Sequence, residues 1–68
     1  MLGRRIAQAR ERAGLNQSQL AKRLKVSRQV VSAWERRRKA KTPRLRHLRA
    51  IARVTSTPIA ELLGGASA

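Results

Sequence analysis

"SQLAKRLKVSRQVVSAWE", residues 18–35, holds two short amphipathic stretches on either side of Lys25-Val26-Ser27. In the first, Leu20, Ala21 and Leu24 recur at the spacing of one helical face. In the second, Val30 or Val31 and Trp34 supply the inward side, and polar residues fill most of the remainder. A helical pattern interrupted so briefly predicts two helices that turn sharply and pack on each other. Upstream, Asn16 and Gln19 have capping-box spacing, which starts the first of these helices at Gln17. Ser27 is placed to cap the second at Arg28.

Outward from this pair the helical period continues. Leu2, Ile6, Ala9 and Ala13 predict a helix over residues 2–13, and Gly14 offers the left-handed position that commonly ends one. Residues 36–41 are strongly basic, lack apolar spacing and read as a loop. Thr42-Pro43 then reads as N-cap and first residue of a fourth helix whose buried side is Leu45, Leu48, Ile51 and Ala52. After the break at residues 55–58, Ile59, Leu62 and Leu63 form a short fifth helix. No alternating β-rich run occurs, so the expected class is all-α, a compact five-helix domain over residues 1–63 with a flexible tail at 64–68. The predicted core is Ile6, Leu20, Ala21, Leu24, Val26, Val31, Trp34, Leu48 and Ile51.

A chain of 68 residues has room for one small core, and without Cys neither a disulfide nor a thiolate metal site reinforces it. No segment approaches the roughly 20 apolar residues that cross a bilayer. Charge is the strongest global signal, with Lys+Arg 17 against Asp+Glu 3 and a net charge of +14. Such a chain repels itself until a polyanion neutralises it, which points first to nucleic acid and second to an anionic membrane surface. A broad exposed apolar face would be needed for the membrane reading, and the core absorbs the apolar residues.

Two short helices around a three-residue turn, inside a small basic all-α chain, have the form of a helix-turn-helix. The stretch "ERAGLNQSQLAKRLKVSRQVVSAWE", the basic loop before "TP" and the closing "IAELL" resemble the lambda-repressor-like, or Xre-type, helix-turn-helix family, and are especially similar to phage repressor and Cro proteins. The resemblance implies a transcriptional regulator that binds double-stranded DNA as a homodimer on a two-fold-related operator, with helix 3 in the major groove. Carried over by position, Arg28, Gln29, Ser32 and Ala33 would read bases. Their chemistry suits base readout, since Arg forks onto guanine, Gln onto adenine, and an Ala methyl meets the thymine methyl.

Asn16, Gln17, Arg36, Arg38, Lys39, Lys41 and Arg44 would hold phosphates, with the Gln17 side chain also reaching residue 28. Arg10 and Glu35 would form a partly buried ion pair between helices 1 and 3. The family usually has Gly in the turn where this chain has Lys25, a substitution that costs about 1 kcal/mol if the backbone is left-handed there. Thr55 and Thr57 replace residues that are usually apolar, which would loosen the region around helix 5.

The sole aromatic, Trp34, is expected in the core rather than stacked on a base, and His47 is expected to be exposed. No metal set, nucleophilic triad or phosphate-binding Gly loop is present, so neither enzyme nor cofactor is expected. The implied location is the cytoplasm, on a bacterial nucleoid or in a phage-infected host. Two alternatives stay open: an architectural protein that binds nucleic acid by charge alone, and an antitoxin or restriction-modification controller of the same fold.

Overall fold

The computed structural model describes residues 2–36 and 42–64. Five helices follow one another: α1 (Leu2–Arg12), α2 (Gln17–Leu24), α3 (Arg28–Glu35), α4 (Leu45–Thr55) and α5 (Ile59–Leu62). There is no strand among the described residues, and the fold is all-α.

The starts of α2 and α3 have the caps their sequences encode. Asn16 Oδ1 accepts the Gln19 N–H at 2.7 Å, and Gln19 Oε1 accepts the Asn16 N–H at 2.8 Å. Ser27 Oγ accepts the Val30 N–H at 3.3 Å. The ends of α1, α2 and α4 share one device. Gly14, Lys25 and Ser56 each adopt a positive φ, of 76°, 60° and 54°, and the next residue's N–H reaches back to Arg10, Ala21 and Ala52 carbonyls respectively. Only the first of the three is Gly. The residue after each, Leu15, Val26 or Thr57, turns at least partly into the protein, the apolar contact that usually accompanies this turn.

The core consists of Ile6 and Ala9 from α1, Leu20, Ala21 and Leu24 from α2, Val31 and Trp34 from α3, Leu48 and Ile51 from α4, and Leu62 from α5. Val26, predicted in the core, is half-buried at its edge. Of the alternatives in the second amphipathic stretch, Val31 is the buried one, and Val30 remains 37% exposed. Ala21 is buried on α2, the helix that packs against both α3 and α4.

Three expectations require correction. Helix 4 begins at Leu45 rather than at Pro43. Pro43 is buried and the chain stays extended through Arg44, at φ −73° and ψ 162°, so Leu45 becomes the first helical residue and is exposed. Thr55 and Thr57 are buried, not loosening. The Thr55 hydroxyl donates to the Ile51 carbonyl at 2.7 Å and that of Thr57 to the Thr55 carbonyl at 3.3 Å, so neither carries an unpaired polar atom into the interior. His47 is half-buried, its ring centroid 5.3 Å from that of Trp34 in a tilted contact.

Gly64, assigned to the tail from sequence, carries φ +78° and donates its N–H to the Glu61 carbonyl, and the Arg5 guanidinium stands where a Cβ would project. The rest of that tail, 65–68, and most of the basic loop lie outside the described residues.

Gly3 marks a close approach that composition gave no reason to expect. A Cβ there would sit 2.6 Å from the Trp34 carbonyl oxygen and 3.0 Å from that of Glu35, so α1 crosses the end of α3 against its backbone. Gly3→Ala is expected to cost about 1–3 kcal/mol as the helices are pushed apart, read as a lowered thermal unfolding midpoint by circular dichroism. Lys25→Gly is expected to raise stability by about 1 kcal/mol in urea unfolding, because it relieves the left-handed strain at an exposed site; an unchanged midpoint would show that the strain is absent.

Candidate nucleic-acid interface

α3 is anchored along one side and at both ends. Val31 and Trp34 bury the inward side, Ser27 caps the N-terminus, and Arg36 closes the C-terminus by donating its N–H to the Ser32 and Ala33 carbonyls. At 3.6 residues per turn, Arg28, Gln29, Ser32 and Ala33 share the opposite arc. Arg28 and Gln29 are exposed at its N-terminal end, and Ser32 and Ala33 are half-buried further along. The four predicted base-reading residues therefore lie together on one outward surface.

A polar junction holds the other end of α3. Arg10 Nε donates to Glu35 Oε2 at 2.8 Å and Arg10 Nη2 to Glu35 Oε1 at 3.1 Å, a bidentate pair between α1 and α3. Arg10 Nη1 donates to the Leu15 carbonyl at 2.9 Å, and Gln17 Nε2 donates to Glu35 Oε1 at 3.0 Å. The structure shows Gln17 in contact with Glu35 instead of the expected residue 28, its amide N–H drawn to the Glu35 carboxylate. The hydrogen bond to Glu35 raises the Arg10 pKa above its ordinary value, against the opposing effect of burial, so the guanidinium stays charged.

The predicted phosphate-binding residues fall into two groups. Asn16 and Gln17 open α2, where the capping box satisfies the Gln19 N–H and leaves the N–H groups of residues 17 and 18 without an intrahelical acceptor. Such a helix start attracts an anion. Arg36 at the end of α3 and Arg44 before α4 are exposed. Arg38, Lys39 and Lys41, like Arg37, lie outside the described residues. The only acid of α3, Glu35, has its side chain 8% exposed and occupied by Arg10, so the outward arc carries no negative charge.

Trp34 is 6% exposed, which removes it from any role in stacking on a base. Among the described residues no cluster of His, Cys, Asp or Glu could hold a metal ion, and no helix is long and apolar enough to cross a membrane.

The Helix-turn-helix family model matches residues 6–62, which is most of the chain and takes in α2 to α5 whole and α1 from Ile6. The chain belongs to the helix-turn-helix family. Within it, the chain is of the Xre, lambda-repressor-like type, a family of DNA-binding regulatory domains that are not typically enzymes. Neither the curated proteins nor the solved structures include a significant match to the chain. For this helix-turn-helix domain the two paired helices are α2 and α3, and the turn is Lys25-Val26-Ser27.

Sequence reasoning missed three contacts at this site: Gln17 with Glu35, Arg10 with the Leu15 carbonyl, and Gly3 against the α3 carbonyls. Only Gly3 had a local signal, being a poor helix former in the first turn of a helix.

Glu35→Gln is expected to destabilise the domain by about 2–4 kcal/mol although the shape is kept, because it removes the close counter-charge of Arg10, leaving only the exposed Glu11 at 3.8 Å, and turns an amide donor toward other donors. Urea unfolding at neutral pH checks this; a loss under about 0.5 kcal/mol would place the pair among weak surface bridges.

Proposed function

We propose that this helix-turn-helix protein is a sequence-specific, double-stranded DNA-binding transcriptional regulator of the repressor or Cro kind. It binds a two-fold-related operator as a homodimer, with α3 of each protomer in the major groove. The observation that carries this reading is the outward arc of Arg28, Gln29, Ser32 and Ala33 on a helix anchored along its opposite side and at both ends. Side chains able to distinguish guanine, adenine and thymine in the major groove are thereby presented on a rigid support.

In this arrangement Asn16, Gln17, Arg36, Arg38, Lys39, Lys41 and Arg44 grip phosphates and set the register. These contacts supply salt-dependent affinity without sequence preference. Two successive major grooves on one side of a duplex lie about 34–36 Å apart, which sets the separation the two α3 helices of a dimer span. Regulation follows by steric exclusion of polymerase or by contact with it, and the place of action is wherever the operator DNA is, a bacterial nucleoid or phage-infected cell.

A charge-driven, non-specific binder is the second reading, favoured by the net charge of +14, more than a handful of phosphate contacts requires. Selection of duplexes from a random pool at near-physiological salt separates the two. The expected result is a two-fold-related motif. Arg28→Ala then loses one base preference at a cost of about 1–3 kcal/mol, whereas Arg36→Ala weakens all sequences alike. Absence of any enriched motif in the native protein would reject the specific regulator and leave the charge-driven one.

A further inference from the structure

The surface around α3 uses only part of the positive charge. On α4, Arg46, Arg49 and Arg53 are all exposed. Their spacing of three and then four residues places them on one face of the helix, opposite Leu48, Ile51 and Thr55, which are buried. Among the described residues no carboxylate answers them. Glu11 and Glu35 are the acids in ion pairs there, both with Arg10, and α4 carries no acid. Like charges at this spacing destabilise a helix, and Ala or Gln would support it at least as well, so the fold itself does not call for the stripe.

The stripe belongs to a different helix from the reading arc, its first member Arg46 two residues beyond Arg44. α4 packs on α1, α2 and α5, and it meets α3 through the His47 contact with Trp34, near the C-terminal end of α3. Arg28 and Gln29 lie at the other end, roughly 9 Å back along the axis of α3. From Arg46 to Arg53, α4 rises about 10 Å. Over that distance a DNA strand presents about three phosphates, at about 3.4 Å of axis each, so the stripe matches the charge density of one strand.

We propose that the Arg46, Arg49 and Arg53 stripe is a second phosphate-binding surface that takes a separate duplex, so that a domain seated on DNA through α3 tethers another DNA segment. This rests on the DNA-binding reading above. Recognition on α4 is by backbone charge alone, since three arginines on an open helix face grip phosphates without reading bases.

The test is a two-duplex capture. One duplex is immobilised and loaded with protein at near-physiological salt, and retention of a second, fluorescent duplex of unrelated sequence is measured for the native protein and for the combined R46Q, R49Q and R53Q variant. Circular dichroism verifies that the variant is folded, and its affinity for the first duplex is measured separately. The expected result is affinity for the first duplex within about twofold of native and capture of the second lowered about tenfold or more.

Equal capture by both proteins would overturn the proposal, and would assign bridging to the two α3 helices of a dimer. A variant whose affinity for the first duplex falls, with a salt slope smaller by about two to three, would place the stripe on the same duplex and also overturn it. Stripe-dependent binding to phosphatidylserine vesicles without capture of a second duplex would make it a membrane contact instead. Failure of the native protein to bind any duplex would be a failure of the DNA-binding reading itself, visible in the first step alone.

Discussion

Arg10, Glu35 and Gln17 come from α1, α3 and α2, and their side chains meet at one polar junction on which the placement of the reading helix depends. The side chains of Arg10 and Glu35 are 12% and 8% exposed, so their charges face each other where water screens them little. If either turned away, the other would be left partly buried without its close bidentate partner. The third donor of Arg10 holds the Leu15 carbonyl, so the turn entering α2 is tied to the same point. With the C-terminal end of α3 fixed against both neighbours, the direction in which Arg28 and Gln29 project is fixed as well. Gly3 completes the arrangement from the other side, since only a residue without a side chain lets α1 come so near the carbonyls of Trp34 and Glu35.

The rest of the fold reconciles a small core with a large positive charge. Among the described residues the ten buried hydrophobic side chains of the core are shared among five helices, so each helix contributes only one to three. Short helices of this kind are marginal alone and depend on their ends being closed. The capping box of α2, the serine cap of α3 and the repeated left-handed turn after α1, α2 and α4 satisfy backbone groups that would otherwise be orphaned. Lys25 and Ser56 hold two of those turns at some steric cost. Self-repulsion of a chain with charge +14 works against compactness, and a bound polyanion removes that repulsion while adding affinity.

Helix starts in this chain were legible wherever a capping residue preceded an apolar period, as at Asn16 and Ser27. The start of α4 was not, because Thr42-Pro43 mimics a helix entry. Burial of Pro43 instead keeps the chain extended through Arg44, and that burial is a property of the assembled core. The fate of Thr55 and Thr57 was hidden for a related reason. Their hydroxyls find carbonyl acceptors within the same segment, so they pack as apolar residues of similar shape would. His47, read as an exposed side chain among arginines, was drawn down by the ring of Trp34, a contact between helices that no local pattern announces.

By itself the sequence determined the helical class, the order of the helices and their buried faces apart from Leu45, the two capped entries that define the helix-turn-helix, and the identity of the side chains on its outward arc. Those are matters of local period and local hydrogen bonding, in which neighbours along the chain suffice. Only the tertiary structure decided how α3 is held: that Gln17 turns to Glu35, that Arg10 reaches both Glu35 and Leu15, and that Gly3 admits α1 to the end of α3. Each joins residues from different helices. Such contacts depend on the angle and distance between packed elements, which periodicity along the chain does not encode.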